Sequence, residues 1–365
     1  MVARVFLHIG LPKTGTTYLQ GILWENKERL RDEGVVLPGR GHREHLWAAL
    51  DVQERKHLER RDPRAPGSWE RLCAELDATP GGTGVVTHEF FCGAGPAQAR
   101  RAVQRLAPAE VHVVVTARHS AGMLAAGWQE MVKNGSRTDL HAAAAADTRS
   151  EFGWRTWDLA GVLERWGDVV PPERLHVLPV PPRTEPPDRH WRNLAGVLGL
   201  TGDYPVPEEA ANPSLGAVQV ELLRRVNAHL GSFSSALDRG RWIRGHLAEG
   251  HLADQAGERL ALDDDLLADC RLRSRRAVDL IAERGFAVVG DVETLLVPEA
   301  LAPGRDLGSV TDAELLEAAT QVVGGLLEDV RELTLQRDRL REESGPAVPT
   351  TVRRAARVLR RRRGD

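Results

Sequence analysis

From Val5 to Gln20 the chain reads Val-Phe-Leu-His-Ile-Gly-Leu-Pro-Lys-Thr-Gly-Thr-Thr-Tyr-Leu-Gln. A short apolar run stops at Gly10. A compact turn then carries Lys13, Gly15 and the threonines Thr14, Thr16 and Thr17, and helix spacing resumes with Leu19, Ile22 and Leu23. Strand, glycine turn, helix is how an α/β protein presents backbone N–H groups to a phosphate. Lys13 adds a positive charge and the threonines add hydroxyls. Lysine is scarce: among 49 basic residues only Lys13, Lys27, Lys56 and Lys133 are not arginine. A lysine in this turn therefore departs from the chain's habit, and an ammonium is a compact charge that fits beside a phosphate.

The rest of the first half repeats the strand–helix alternation. Strands are expected at 2–9, at 34–39, from Thr83 to Glu89, from Val111 to Ala117 and from Leu175 to Val180. Helices are expected at 14–31, 43–60, 68–78, 96–106, 120–132 and 155–166. This pattern predicts an α/β fold, a three-layer sandwich with a central, mostly parallel sheet. After residue 185 helices dominate, at 188–198, 214–230, 236–256 and 264–284, with a short extended piece from Gly285 to Gly290 and no apparent internal repeat. Ligands of such sheets bind at the carboxyl ends of the strands. Residues 10–17, His88-Glu89 and Arg118 all fall at such ends, which predicts one shared site.

Ala302-Pro-Gly304 marks a boundary, so the organisation expected is a domain at 1–300, a helix at 305–345 and a basic tail at 346–365. Thr311 and Glu314 form a capping box. Behind them Leu316, Ala319, Val323, Leu326, Val330, Leu333, Arg337 and Leu340 follow an a/d heptad pattern, interrupted in composition by Gly324-Gly325. Such a helix either packs on its own domain or pairs residues 312–343 with a second copy in a homodimer. Net charge is −3, but the last twenty residues hold seven Arg and one Asp, or +6, leaving −3 − 6 = −9 on the remaining 345. A basic tail of this kind is a solvated end or a contact for anionic lipid or nucleic acid. With 42% hydrophobic and 28% charged residues the chain reads as soluble and globular. Cys73, Cys92 and Cys270 form no CxxC pair or metal-ligand cluster. They suggest a reducing compartment, and with no 18-residue apolar stretch and no signal-peptide pattern the expected location is cytoplasmic.

A Walker A loop places its Lys after the second Gly. Here Lys13 precedes Gly15, in the order Pro12-Lys13-Thr14-Gly15-Thr16-Thr17. This segment resembles the 5′-phosphosulfate loop of sulfotransferases that use 3′-phosphoadenosine 5′-phosphosulfate (PAPS), whose sheet is P-loop-like. The closest look is of bacterial members, through Gly10 to Thr17 and through Trp128-Gln129-Glu130; Asn212-Pro-Ser-Leu-Gly216 shares their flavour without assignable chemistry. In that family an Arg at a later strand end, and a Ser about eight residues on, hold the cofactor's 3′-phosphate. Arg118 matches by placement. Position 126 is Ala, and Ser120 is a nearby hydroxyl at a different spacing.

The resemblance implies that residues 13–17 hold the 5′ end of PAPS and that Lys13 helps the bridging oxygen leave. It implies no metal. The sulfuryl group would pass to a hydroxyl or amine of a small-molecule or glycan acceptor, which needs a base. His88 and Glu89 are the candidates. As neighbours in an extended strand they are expected to face opposite sides, with one entering the cleft. Thr87-His88 resembles the strand end of cytosolic sulfotransferases, whereas glycan sulfotransferases use a Glu; the ordinary pKa of histidine favours His88. Glu130 is a third candidate, set against a solvated helix position. His119 is expected to cap its helix, and Arg241 and Arg244 either to meet an anionic group or, the favoured reading, to lie on a solvated helix face. The alternatives are a P-loop kinase or nucleotide hydrolase, for which no apolar run ending in Asp supplies a Walker B strand, and a non-catalytic module of the same fold, suggested by Ala126.

Overall fold

The computed structural model describes residues 1–146, 153–205 and 214–343. Six strands form one sheet: β1 (Arg4–His8), β2 (Val35–Val36), β3 (Thr83–Thr87), β4 (Glu110–Ala117), β5 (Leu175–Pro179) and β6 (Ala287–Val288). Their order is β2-β3-β1-β4-β5-β6, and every pairing is parallel. From β1 the chain goes to the far edge as β2, returns between them as β3, and then crosses to the other side for β4, β5 and β6. The crevice at the carboxyl ends of β3, β1 and β4 is therefore the topological switch point where such sheets bind ligands.

Parallel strands covered on both faces read as apolar runs, and β4 shows why the pattern sorts into two layers. Val111, Val113 and Val115 face the larger core with Trp128, Trp157 and Trp166. Val114, with Phe6, Val85 and Leu178, faces Leu19, Ile22 and Leu23 of the loop helix (Thr16–Glu25), and Trp191 and Leu194 of the helix Arg189–Leu198. Most expected elements appear, with local corrections. The helix expected at 14–31 breaks at Asn26, whose side-chain amide donates to Ile22 O at 2.9 Å and to Pro205 O at 3.0 Å. The helix expected at 43–60 stops at Val52. β3 ends at Thr87, and Glu89 opens a 3-10 turn, Glu89–Gly93.

The segment expected as an α-helix at 236–256 is largely a π-helix, Arg239–Leu252. Its i→i+5 bonding exposes a repeat that α-helical reading hides: Gly240-Arg-Trp-Ile-Arg, Gly245-His-Leu-Ala-Glu and Gly250-His-Leu-Ala-Asp. Successive glycines of the repeat lie one turn apart, and an added Cβ would stand at ordinary contact distance from the preceding glycine's carbonyl. A Cβ on Gly245 would meet Gly240 O at 3.4 Å, and one on Gly250 would meet Gly245 O at 3.5 Å.

The C-terminal helix (Asp312–Glu343) begins at the capping box, with Thr311 N donating to Glu314 Oε2 at 2.9 Å and Glu314 N to Thr311 Oγ1 at 3.4 Å. It docks through Leu315, Ala318 and Val322, one position off the heptad stripe. Ala319 and Leu326 add partial contact, whereas Leu316, Val323, Val330, Leu333 and Leu340 stay exposed. The basic tail at 346–365, and Asn212 with Pro213 of the segment noted above, lie outside the described residues. Among the described residues no helix is long and apolar enough to cross a membrane. Cys73, Cys92 and Cys270 are free and buried, and burial pushes each thiol up to about 12.

Candidate active site

The turn after β1 is anchored from below. Ile9 N donates to Val114 O at 2.9 Å and Leu11 N to Thr116 O at 2.6 Å, so the chain leaves the sheet still tied to β4. Thr14 Oγ1 donates to Leu11 O at 2.6 Å and lies 2.7 Å from Thr116 Oγ1. Beneath it, buried His8 places Nδ1 2.8 Å from Thr87 Oγ1 and Nε2 3.3 Å from Thr116 Oγ1. Burial, with a contribution from His190, lowers the His8 pKa to about 3. The imidazole is therefore neutral at physiological pH and donates through one nitrogen while accepting at the other. This polar floor links β1, β3 and β4 to the turn. It also corrects one expectation: the Thr14 hydroxyl faces the floor, leaving only its backbone N–H for a ligand.

Three residues of the turn have positive φ: Gly10 at 67°, Lys13 at 63° and Gly15 at 77°. For Lys13 that conformation costs about 1–2 kcal/mol, and strain of this kind gathers at functional sites. From above, His190 Nε2 donates to Thr14 O at 2.9 Å. The ring packs so closely that a Cβ on Gly15 would lie 3.0 Å from its Cδ2.

The result is an open row of donors. Among the described residues the backbone N–H groups of Lys13, Thr14, Gly15, Thr16 and Thr17 make no hydrogen bond, and neither do the hydroxyls of Thr16 and Thr17. These N–H groups sit at the positive end of the loop helix dipole, an arrangement suited to a phosphate-like anion.

Lys13 Nζ donates to Glu130 Oε2 at 2.9 Å. Glu130 belongs to the helix that follows β4 (Ser120–Lys133) and is only 4% exposed. It also accepts from Asn134 Nδ2 at 2.8 Å and from Arg244 Nη1 of the π-helix. Burial alone would raise its pKa, but Lys13 and Arg244 outweigh that and hold the carboxyl below the ordinary range. Glu130 is thus no solvated helix residue, and Arg244 no solvated arginine: Arg244 also pairs with Glu249 at 3.1 Å. Lys133, 4.0 Å from Glu249, completes the cluster. Of the neighbouring motif residues, Trp128 is core and Gln129 Oε1 accepts from Leu215 N at 3.2 Å.

At the end of β3 the expected opposition of His88 and Glu89 is corrected. Because the strand stops at Thr87, the turn swings both side chains to one side, with His88 Nδ1 3.6 Å from Glu89 Oε2. His88 Nδ1 accepts from Phe90 N at 3.1 Å, which places the neutral ring's proton on Nε2. Glu89 accepts from Gln20 Nε2 of the loop helix at 3.1 Å. Its Cβ would be 2.6 Å and its Cα 2.8 Å from a Cβ on Gly10, so that glycine lets the Glu89 backbone pass close to the turn. Burial would raise the Glu89 pKa; His88, the backbone N–H and Gln20 overcome it, and the net shift is downward.

At the end of β4, Arg118 is partly buried and, among the described residues, has no ion pair or side-chain hydrogen bond. Its guanidinium lies over Gly122, where a Cβ would come within 2.5 Å of Nη2. Ala126 follows one turn later on the same face. Burial and the nearby charges of Arg259 and Arg183 lower the Arg118 pKa. His119 caps the helix as expected, accepting from Gly122 N at 3.1 Å. Ser120 is buried, and its N–H donates to Ser274 Oγ at 3.0 Å. His8, Thr116, His190, Arg183 and Arg259 carry no local sequence signature. Only the parallel sheet brings them to this edge, although the threonines at the ends of β3 and β4 mark where apolar strands turn polar.

No protein-family model matches the chain, and no curated protein does. Among solved structures, the crystal structure of a sulfotransferase from Alicyclobacillus acidocaldarius is similar, with a TM-score of 0.40 and 15% identity over 57% of this chain and 86% of that chain.

Proposed function

We propose that this chain is a PAPS-dependent sulfotransferase. The observation that carries the reading is a pair of separate anion positions on one sheet edge. One is the row of unbonded N–H groups from Lys13 to Thr17. The other is Arg118, a guanidinium with no carboxylate partner among the described residues, with the charges of Arg183 and Arg259 nearby. A ligand with phosphate groups at both 5′ and 3′ positions fits two such sites better than a single triphosphate chain does. The order Pro12-Lys13-Thr14-Gly15-Thr16-Thr17 supports the same ligand.

PAPS supplies a sulfuryl group on a phosphate leaving group. The N–H groups of residues 13–17 and Lys13 hold the charge that builds on that phosphate, a role in which fixed donors lower a barrier. Arg118, Arg183 and Arg259 hold the 3′-phosphate, with arginines doing there what a serine at position 126 would share. Glu89 takes the proton of the acceptor. It is preferred to His88 because the Nδ1 lone pair of His88 is committed to Phe90 N–H and its Nε2 already carries hydrogen.

Radiolabelled [³⁵S]PAPS incubated with the full chain and a panel of carbohydrate, phenolic and amine acceptors tests the reading. Transfer of label that persists in a chelator of Mg²⁺ is expected. Mg²⁺-dependent consumption of ATP with no label transfer would replace the reading with a P-loop kinase or hydrolase.

A further inference from the structure

We propose that His246, His251 and Asp329 form a metal site, suited to Zn²⁺, that joins the π-helix to the C-terminal helix. It is independent of the sulfotransferase reading. His251 Nε2 lies 2.8 Å and His246 Nε2 3.3 Å from the same oxygen, Asp329 Oδ2. All three ligand atoms fall within 4.8 Å of one another. The two rings are 5.2 Å apart and perpendicular, at 89°, so they approach that oxygen from different directions.

Metal bonds of ~2.0–2.2 Å in a tetrahedral site put neighbouring ligand atoms ~3.3–3.5 Å apart. The separation of His246 and Asp329 already has that value. The His251–Asp329 separation reaches it by a small side-chain rotation, and the ligand atoms of the two histidines lie within 4.8 Å of each other. Two imidazoles and one carboxylate are the donors of Zn²⁺ sites that keep a fourth position for water.

The local construction favours convergence. His246 and His251 hold equivalent places in successive five-residue repeats, and only i→i+5 winding stacks them. Gly325 stands one turn before Asp329 on the C-terminal helix. A Cβ there would be 2.7 Å from His251 Nδ1, so the glycine makes room for the ring while Asp329 meets its far nitrogen. This gives Gly325 a purpose that a heptad does not. The sequence hides the cluster, because a five-residue histidine spacing is no α-helical motif and Asp329 lies far along the chain. The side chains are 39%, 15% and 35% exposed for His246, His251 and Asp329, which leaves a path for an ion to enter.

The test uses the untagged full chain, stripped with chelator and titrated calorimetrically with ZnCl₂. One Zn²⁺ per chain is expected, with a rise in Tm and proton release, since a bound imidazole must be neutral. Asp329→Asn and His251→Ala should each weaken Zn²⁺ binding at least tenfold. His246→Gln, at the most exposed position, gives the same readout if either of those fails to fold. Co²⁺ should produce the visible bands of a four-coordinate centre in the wild type and not in the variants. Absence of Zn²⁺ uptake at micromolar concentration would overturn the proposal, leaving a His–Asp ion pair. Equal uptake by wild type and all variants would overturn it as well, because the ion would then be held by other histidines.

Discussion

Lys13 is ion-paired with Glu130 while its backbone stays in a left-handed conformation, and that combination defines how a ligand must enter. An incoming anion competes with a carboxylate already at 2.9 Å, and Asn134 and Arg244 are left to hold Glu130 in place. Replacing Lys13 by Ala removes one charge from the transition state and, by analogy with the loss of one oxyanion donor, should lower kcat about 10²–10³-fold. An unchanged rate would remove Lys13 from the chemistry. The base is separable by pH. Against burial, His88, the backbone N–H and Gln20 shift the Glu89 pKa downward, so with Glu89 as the proposed base kcat/KM should stay flat as pH falls through the ordinary carboxylate range and drop only below it. Glu89→Gln should cost about 10²–10⁴-fold. If His88 were the base, the rate would instead survive Glu89→Gln. Sequence carried the identity of these groups and not their relations. That His88 and Glu89 share a side depends on β3 ending one residue before His88, a boundary that an apolar run followed by two polar residues does not specify.

The C-terminal helix presents two stripes one position apart, and they should respond differently to substitution. Leu315, Ala318 and Val322 face the domain, so Leu315→Ala should cost about 2–5 kcal/mol of stability. Leu316, Val323 and Val330 are exposed and keep heptad spacing. Sedimentation of the full chain is expected to show a dimer, and the pair Leu316→Lys and Val323→Lys should return monomers with Tm little changed. A wild-type monomer at micromolar concentration would contradict the homodimer. The heptad was legible because an apolar residue every three or four positions is a strong signal. The docking stripe was not, since Ala318 contributes little to a hydrophobic pattern and is buried by what lies opposite. The π-helix escaped for a similar reason: repeats of five fall on no α-helical face, so 236–256 read as an ordinary α-helix and the glycine period went unread.

Across the whole molecule, the alternation of strands and helices was enough to reach a parallel sheet with both faces covered, because apolar strands such as Val111–Val115 have no other stable setting. The strand order was not available from the pattern. It decides that the ends of β1, β3 and β4 are neighbours, and with them Lys13, Glu89 and Arg118. Those three loops form one edge, and on its unbonded N–H groups and the Arg118 guanidinium rests the proposal of a bisphosphate ligand. Isothermal titration of the full chain with 3′,5′-adenosine bisphosphate, 5′-AMP and Mg²⁺-ATP tests this most directly. The bisphosphate should bind best, and Arg118→Ala should erase its advantage over 5′-AMP without changing 5′-AMP itself. No binding of the bisphosphate at high micromolar concentration, or tighter binding of Mg²⁺-ATP, would contradict the assignment.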